Sequence, residues 1–400
     1  MKNHPSSLPA ENPGRLILVL AMLAAFAPLA TDMYLPGFAQ MAAAYNTDPG
    51  RIEATLSTFF LGLALGQAIY GPIIDRFGRK APLLVGIALF ALATLGCLLT
   101  RDIDVFTGLR FMQAMGGCAG MIVGRAILND LYEPAESARA LSLIITLMIV
   151  APVFAPLLGG WILVTAGWQA IFILLLAFAA LCGALTWRYI PETLPRDRRQ
   201  PLNVSSLLRA YRTLVRQPGF LVPALVGGLA QVSIFAFITG SPFVFMEYFG
   251  LSEQQYGLVF GLTALGIAVG AQLNRAALRR FSVRTLLRAA LWFQLGAGIV
   301  LLACAGTTHV FVLIPPLWLI IASLGFIGSN AAAIAMSKTG PYAGTGSAMI
   351  GVLQFGCAFA VSGLIAAAPN GTPYPMAIAI VTAALAANIL WFLGSRHGNR

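Results

Sequence analysis

Hydrophobic runs of about 20 residues recur from one end of the chain to the other, and that is the length a helix needs to cross a bilayer. Twelve can be counted, at about 16–40, 52–73, 82–99, 105–126, 140–163, 169–190, 220–244, 255–273, 285–304, 309–331, 345–367 and 373–394. In hydrocarbon each backbone N–H and C=O must be satisfied within its own segment, so the runs predict an all-α membrane protein with twelve transmembrane helices. Composition agrees: 58% of the 400 residues are hydrophobic and 10% are charged, against about 25% charged in soluble domains. No stretch outside the runs could hold a soluble catalytic domain.

The net charge of +11 does not point to nucleic acid. Of the Lys and Arg residues, Arg110, Arg125, Arg188 and Arg288 fall within runs, the last three near their linker-side ends, and Arg51 and Arg101 fall on one side. All the others, Lys2 and Arg400 among them, fall on the opposite side. This asymmetry predicts that both termini are cytoplasmic. Its short loops offer no basic face interleaved with stacking aromatics, so no nucleic-acid partner is expected. Cys97, Cys118, Cys182, Cys304 and Cys357 lie in predicted spans without C-x-x-C spacing and read as small packing residues. His4, His309 and His397 are too scattered to suggest a metal cluster, and no cofactor is expected.

The segment Pro191 to Gln217 is the longest polar stretch and is rich in Arg and Pro. It divides the chain into a six-span half at 1–190, a cytoplasmic linker at 191–218 and a second six-span half at 219–400. Gly71-x-x-x-Asp75-Arg76 after the second run is echoed by Gly270-x-x-x-Asn274-Arg275 after the eighth, a trace of duplication. The first run, preceded by Arg15, has some character of a signal peptide, but two equal halves require that it stay.

Asp32 is the one carboxylate placed well inside a run. An acid at that depth costs about 2.5–3.5 kcal/mol on insertion scales, so it reads as a proton site, an ion site or a partner for a buried cation. A structural acid satisfied by its neighbours is the alternative. Pro28 and Pro36 stand four residues either side, and Pro36 cannot donate to the Asp32 carbonyl, so the helix should open beside the acid. Arg110 enters from the same side as Asp32 leaves; at the helical rise they lie about 9 and 12 Å inward, which predicts a partnership. A purely structural ion pair is the alternative reading.

The turn Gly71-Pro72-Ile73-Ile74-Asp75-Arg76-Phe77-Gly78-Arg79-Lys80 resembles the G-x-x-x-D-R-x-G-R-[KR] loop of the major facilitator superfamily at every defining position. The resemblance implies two six-helix bundles that rock about a central site, with Gly71, Asp75, Arg76, Gly78 and Arg79 as a conformational switch. It also implies that Asp75 docks on the free N–H groups near Tyr342 to Gly346. Asp130 is a candidate partner for Arg79. Arg110-Phe111-Met112-Gln113 resembles the R-x-x-Q core of a second superfamily motif, with Ala114 where glycine is usual.

In the fifth run, Ala151-Pro152-Val153-Phe154-Ala155-Pro156-Leu157-Leu158-Gly159-Gly160 resembles the G-x-x-x-G-P-x-x-G-G antiporter motif, with alanine for two glycines. Pro156, Gly159 and Gly160 are its retained core; small residues at that spacing also serve ordinary helix packing. Thr31-Asp32-Met33-Tyr34-Leu35-Pro36, Gly159-Gly160-Trp161 and Pro191-Glu192-Thr193-Leu194-Pro195 together resemble the Bcr/CflA subfamily of drug:proton antiporters. That resemblance implies a multi-pass bacterial inner-membrane protein, expected to be a monomer, that exports small apolar antimicrobials against protons. Asp32 and Arg110 are the candidate coupling pair. Tyr34, Gln113, Gln231, Phe235 and Trp318 are candidate substrate contacts. Glu247, at the outer end of the seventh run, reads as a solvated cap and is the first place to look for a second proton site. Proton-coupled uptake, or metabolite transport on the same fold, is the alternative function. A membrane enzyme would need a nucleophile or metal constellation, which the spans lack.

Overall fold

The computed structural model describes residues 13–132, 134–199, 204–368 and 371–397. Among these there are fifteen α-helices and no strand. The first half holds α1 (Pro13–Ala24), α2 (Phe26–Asp32), α3 (Phe38–Ala44), α4 (Pro49–Phe77), α5 (Lys80–Leu99), α6 (Ile103–Leu131), α7 (Pro134–Ala166) and α8 (Trp168–Tyr189). A linker helix, α9 (Val204–Val215), precedes α10 (Pro218–Pro242), α11 (Glu253–Ala277), α12 (Val283–Cys304), α13 (Val310–Met336), α14 (Ala343–Ala366) and α15 (Tyr374–His397). Eleven segments of the described residues are long and apolar enough to cross a membrane. The remaining predicted span is the 33-residue α7, whose described apolar part is Val150–Ala166. Lys2 and Arg400, used to predict orientation, lie outside the described residues.

Local chemistry sets the helix ends. Pro49 occupies the first position of α4, where its missing N–H costs nothing. Asp102 caps α6 by accepting from the N–H groups of Asp104 and Val105 at 2.7 and 3.2 Å. Ser252 and Gln255 close a capping box at the start of α11.

The first predicted span is one crossing built from three helices. Pro28 cannot donate to the Ala24 carbonyl, and the helix breaks at Ala25. Pro36 cannot donate to the Asp32 carbonyl, and α2 ends at Asp32, followed by a short 3₁₀ turn at Leu35–Gly37. The sequence expectation that the chain opens beside the acid is met.

Within the first bundle α6 packs on α4 and α5, and α5 on α8; within the second, α13 packs on α11 and α12, and α10 on α14 and α15. The bundles meet along two seams, α4 on α14 and α7 on α11. Both seams are lined by small groups that bring backbones together. A Cβ on Gly50 would lie 2.7 Å from the Ala366 carbonyl, and one on Gly261 would lie 2.8 Å from that of Val153. Ser57 donates to the Phe359 carbonyl at 2.9 Å, the one side-chain hydrogen bond along the α4–α14 seam among the described residues.

The halves are not equally close at their two ends. At the end opposite the linker, α4 and α14 touch at Gly50 and Ala366. At the linker end a Cβ on Gly71 or Gly344 would meet nothing within 4 Å, and the Asp75 side chain is 56% exposed. The molecule is therefore open toward the linker and closed away from it. At the position that echoes Asp75 in the second half, buried Asn274 exchanges hydrogen bonds with Asn330 at 2.9 and 3.4 Å, joining α11 to α13.

Candidate functional site

Asp32 is 2% exposed and sits at the last position of α2. Its one hydrogen bond comes from its neighbour Thr31, whose hydroxyl lies 2.8 Å from Oδ1. Its charge acts on Tyr256 of α11, whose hydroxyl is 2.9 Å from that of Ser241 on α10.

The predicted Asp32–Arg110 pair is not formed. Arg110, fully buried, donates to the Ala30 carbonyl at 2.8 Å and to the Gln113 side-chain oxygen. Its guanidinium lies 4.3 Å from the Tyr34 ring centroid and 4.4 Å from that of Phe59. The physical reason is the break itself. Carbonyls in the last turn of a helix lack intrahelical partners, and a buried cation is a strong donor for one of them. The aromatic faces take the place of a counter-ion. Arg110 does lie at the level of the first-span break, but the cation serves its backbone and the acid is held by Thr31.

Tyr34 and Gln113, predicted as substrate contacts, form the cage around Arg110. Both are fully buried. The Tyr34 hydroxyl is 3.0 Å from that of Thr55, and Gln113 donates to the Thr94 hydroxyl at 2.7 Å. Phe59, Thr55 and Thr94 had no role in the sequence reading, because nothing in their spacing distinguishes them from ordinary span residues.

The fifth-span motif meets the same break. Pro156, Gly159 and Gly160 are buried, and a Cβ on Gly159 would collide with the Met33 carbonyl, one residue past Asp32. On Gly160 it would lie 3.0 Å from the Glu253 carbonyl at the start of α11. Helix α7 is thus wedged between the opened first span and the second bundle.

The loop between α4 and α5 carries the switch residues. Buried Arg79 donates to Asp130 at 2.9 Å, as predicted, and to Asp75 at 2.7 Å. Burial disfavours the Arg79 charge, but the bonds it donates to Asp130 and Asp75 outweigh this and hold the guanidinium above its ordinary pKa range. Arg76 is exposed. The docking of Asp75 on Tyr342–Gly346 is not present; the carboxylate is engaged by Arg79 because the bundles are parted at this end.

Glu192 was quoted in the sequence only as part of a string, yet it completes this loop. It accepts from the N–H groups of Arg79 at 2.8 Å and Lys80 at 3.4 Å, the free donors at the start of α5, and bridges to Arg199 at 3.5 Å. Thr193 donates to Asp130 at 2.8 Å. Gly78, at φ +92°, leaves no room for a Cβ beside the Glu192 carboxylate.

In the second bundle Gln231 accepts from Gln354 at 2.8 Å, joining α10 to α14. The Phe235 ring lies 4.9 Å from Phe60 of the first bundle and 5.9 Å from Phe355. These three residues and Gln231 form a polar and aromatic cluster where the halves meet. Trp318 is elsewhere. Its indole donates to the Leu262 carbonyl at 3.1 Å, fastening α13 to α11 at a partly exposed edge.

The Major Facilitator Superfamily profile matches residues 20–362. The chain belongs to this superfamily. It is 30% identical to a bicyclomycin resistance protein homolog of Haemophilus influenzae, covering 95% of this chain and 96% of that one. It is 33% identical to multidrug resistance protein D of Escherichia coli over 85% of each, and 32% identical to an uncharacterized MFS-type transporter, YdgK, of Bacillus subtilis over 92% and 93%. These relatives place it in the Bcr/CflA subfamily. Among solved structures it is similar to a bacterial homolog of the lysosomal transporter Spinster, inward-facing and occupied, with TM-score 0.72 and 16% identity over 98% of both chains. It is also similar to the xylose transporter XylE of E. coli in a partially occluded inward-open conformation, with TM-score 0.73 and 13% identity over 94% of this chain and 97% of that one. The protein is a multi-pass membrane transporter and not an enzyme.

Proposed function

We propose that this transporter exports small, mainly hydrophobic antimicrobial compounds across the bacterial inner membrane in exchange for protons. The linker end, with its cations, faces the cytoplasm in this reading, so the described conformation is inward-open. The observation that carries the proposal is the contact of the Pro156–Gly160 helix with the broken first span, one residue beyond Asp32. A buried acid at a helix break is where a proton can alter packing, and α7 is the element that would pass the change to α11.

Deprotonated Asp32 favours the inward-open state that receives drug at the Gln231–Phe235 cluster. Opening to the outside lets Asp32 take a proton, which weakens drug binding and permits return. Each charge moved across the membrane is driven by about 2.3 kcal/mol per 100 mV. Arg110 contributes by holding the break open at the Ala30 carbonyl. Cytoplasmic termini, a monomer and the absence of a cofactor belong to the same reading. The test is drug-dependent proton movement in inverted vesicles from cells expressing the protein. Drug should drive protons out of the vesicles, and Asp32→Asn should abolish this. Retained coupling in that variant would remove Asp32 from its role, and drug movement in the opposite direction would favour uptake.

A further inference from the structure

A cavity of about 570 Å³ lies between the bundles at the end away from the linker, and two carboxylates face it, one from each half. Glu53 belongs to the first turns of α4; Glu247 belongs to the π-helical turn Phe243–Tyr248 that follows α10. Both also border the smaller neighbouring pocket, with Leu35 and Pro36 just beyond the Asp32 break. Glu53 is 8% exposed, and neither glutamate has a hydrogen bond or ion pair among the described residues. The Glu247 charge acts on Glu53. Glu247 is exposed and stands at the mouth, with Glu53 behind it.

Among the described residues no cation relieves them. Arg51, on the same wall, is bound to Asp104 of α6. Asp48 adds a further negative charge. From the other elements the walls are apolar or small, with Phe243, Ile365 and Met376 facing the cavity. Tyr248, on the same turn as Glu247, directs its hydroxyl to the Thr307 carbonyl at 3.4 Å. On α11, packed against that turn, Tyr256 is engaged with Ser241, and Glu253 does not border the cavity.

Two carboxylates brought together in apolar surroundings cannot both ionise cheaply; one proton shared between them removes the conflict. We propose that Glu53 and Glu247 form a second proton-binding site, completed by both halves, that must hold a proton for this end of the transporter to remain closed. The proton enters and leaves through the Glu247 mouth, so it gates the outer side and is not itself carried across. Separating the bundles parts the two acids and lets each ionise in water. Only the compartment that supplies the proton depends on the orientation proposed above; the switch itself does not depend on the drug.

The test uses the full chain in detergent, with the five native cysteines replaced and spin labels on Ala44→Cys and Thr308→Cys, exposed positions of opposite halves at this end. Distances by electron spin resonance should be short near about pH 5 and acquire a longer population toward about pH 9, a range chosen to span the titration of perturbed carboxylates. Glu53→Gln should stay short throughout, and so should Glu247→Lys, which supplies the missing cation. Trp318→Phe, at the α11–α13 edge away from these acids, should keep the wild-type response. A distance independent of pH in the wild type, or a wild-type profile in Glu53→Gln or Glu247→Lys, overturns the proposal. Monodisperse elution and retained helicity of each variant separate these outcomes from misfolding.

Discussion

The carbonyl of Met33 occupies the space that a side chain on Gly159 would need. The break after Asp32 and the glycine pair of α7 are therefore a single fitted contact. Gly159→Ala must push α7 away from the first span. Overpacking of this kind costs about 1–3 kcal/mol. We expect a loss of drug efflux of about tenfold, in keeping with that energy, with membrane expression retained. Efflux of a fluorescent drug from de-energised and re-energised cells checks it; unchanged rates would mean that α7 does not sense the break.

Arg110 is bound to Ala30 and Gln113 and caged by Tyr34 and Phe59, so its removal leaves buried acceptors unpaired. Arg110→Ala should be strongly destabilising in a thermal melt in detergent, and Arg110→Lys should recover only part, because an ammonium lacks the planar fork. Asp32→Asn should be far milder. A double-mutant cycle on Asp32 and Arg110 should give a coupling below about 0.5 kcal/mol, as for independent sites. A coupling of several kcal/mol would restore the ion pair.

Gly78 combines a left-handed φ of +92° with a carboxylate at its Cα, and Glu192 caps α5 across it. Gly78→Ala is expected to cost about 1–3 kcal/mol from backbone strain alone. Glu192→Gln removes charge-assisted bonds to two backbone donors and should lower the melting temperature without changing which drugs are recognised. A shift in drug profile for Glu192→Gln would place it in binding instead.

Trp318 and Gln231 should separate cleanly. Trp318→Phe loses one hydrogen bond to Leu262, worth about 1 kcal/mol of stability, and should leave the resistance spectrum of an efflux-deficient host unaltered. Gln231→Leu removes the partner of Gln354 beside Phe235 and should redistribute resistance among drugs. The reverse pattern would move the substrate site to the α11–α13 edge.

Features that depend on one helix were legible in the sequence. Pro36 removes a specific N–H donor, so the break beside Asp32 followed from chemistry alone. Arg79 and Asp130 lie at the same end of adjacent spans, and charge complementarity sufficed to pair them. Counting residues along a helix gives depth, and it placed Asp32 and Arg110 at one level. Direction around the axis is set by neighbours, and here the released carbonyl of Ala30 and the rings of Tyr34 and Phe59 claimed the cation. Glu192 was missed for a related reason: its role exists only because the chain after α8 returns to the α4–α5 loop. Glu53 had no role in the sequence reading, because only the folded chain sets it on the same cavity as Glu247 of the other half.

The seams between the bundles have a mechanical consequence. Where Gly50 faces Ala366, Gly257 faces Leu157 and Gly261 faces Val153, contact is made by backbone and by dispersion, with little directional bonding to rupture. Such surfaces can roll over one another at nearly constant energy, like a bearing. Arg79, Asp130 and Glu192 all belong to the first half, so their clasp stiffens one bundle as a lever and does not tie it to the other. What holds the two levers together is left to the far rim, where Glu53 and Glu247 border one cavity.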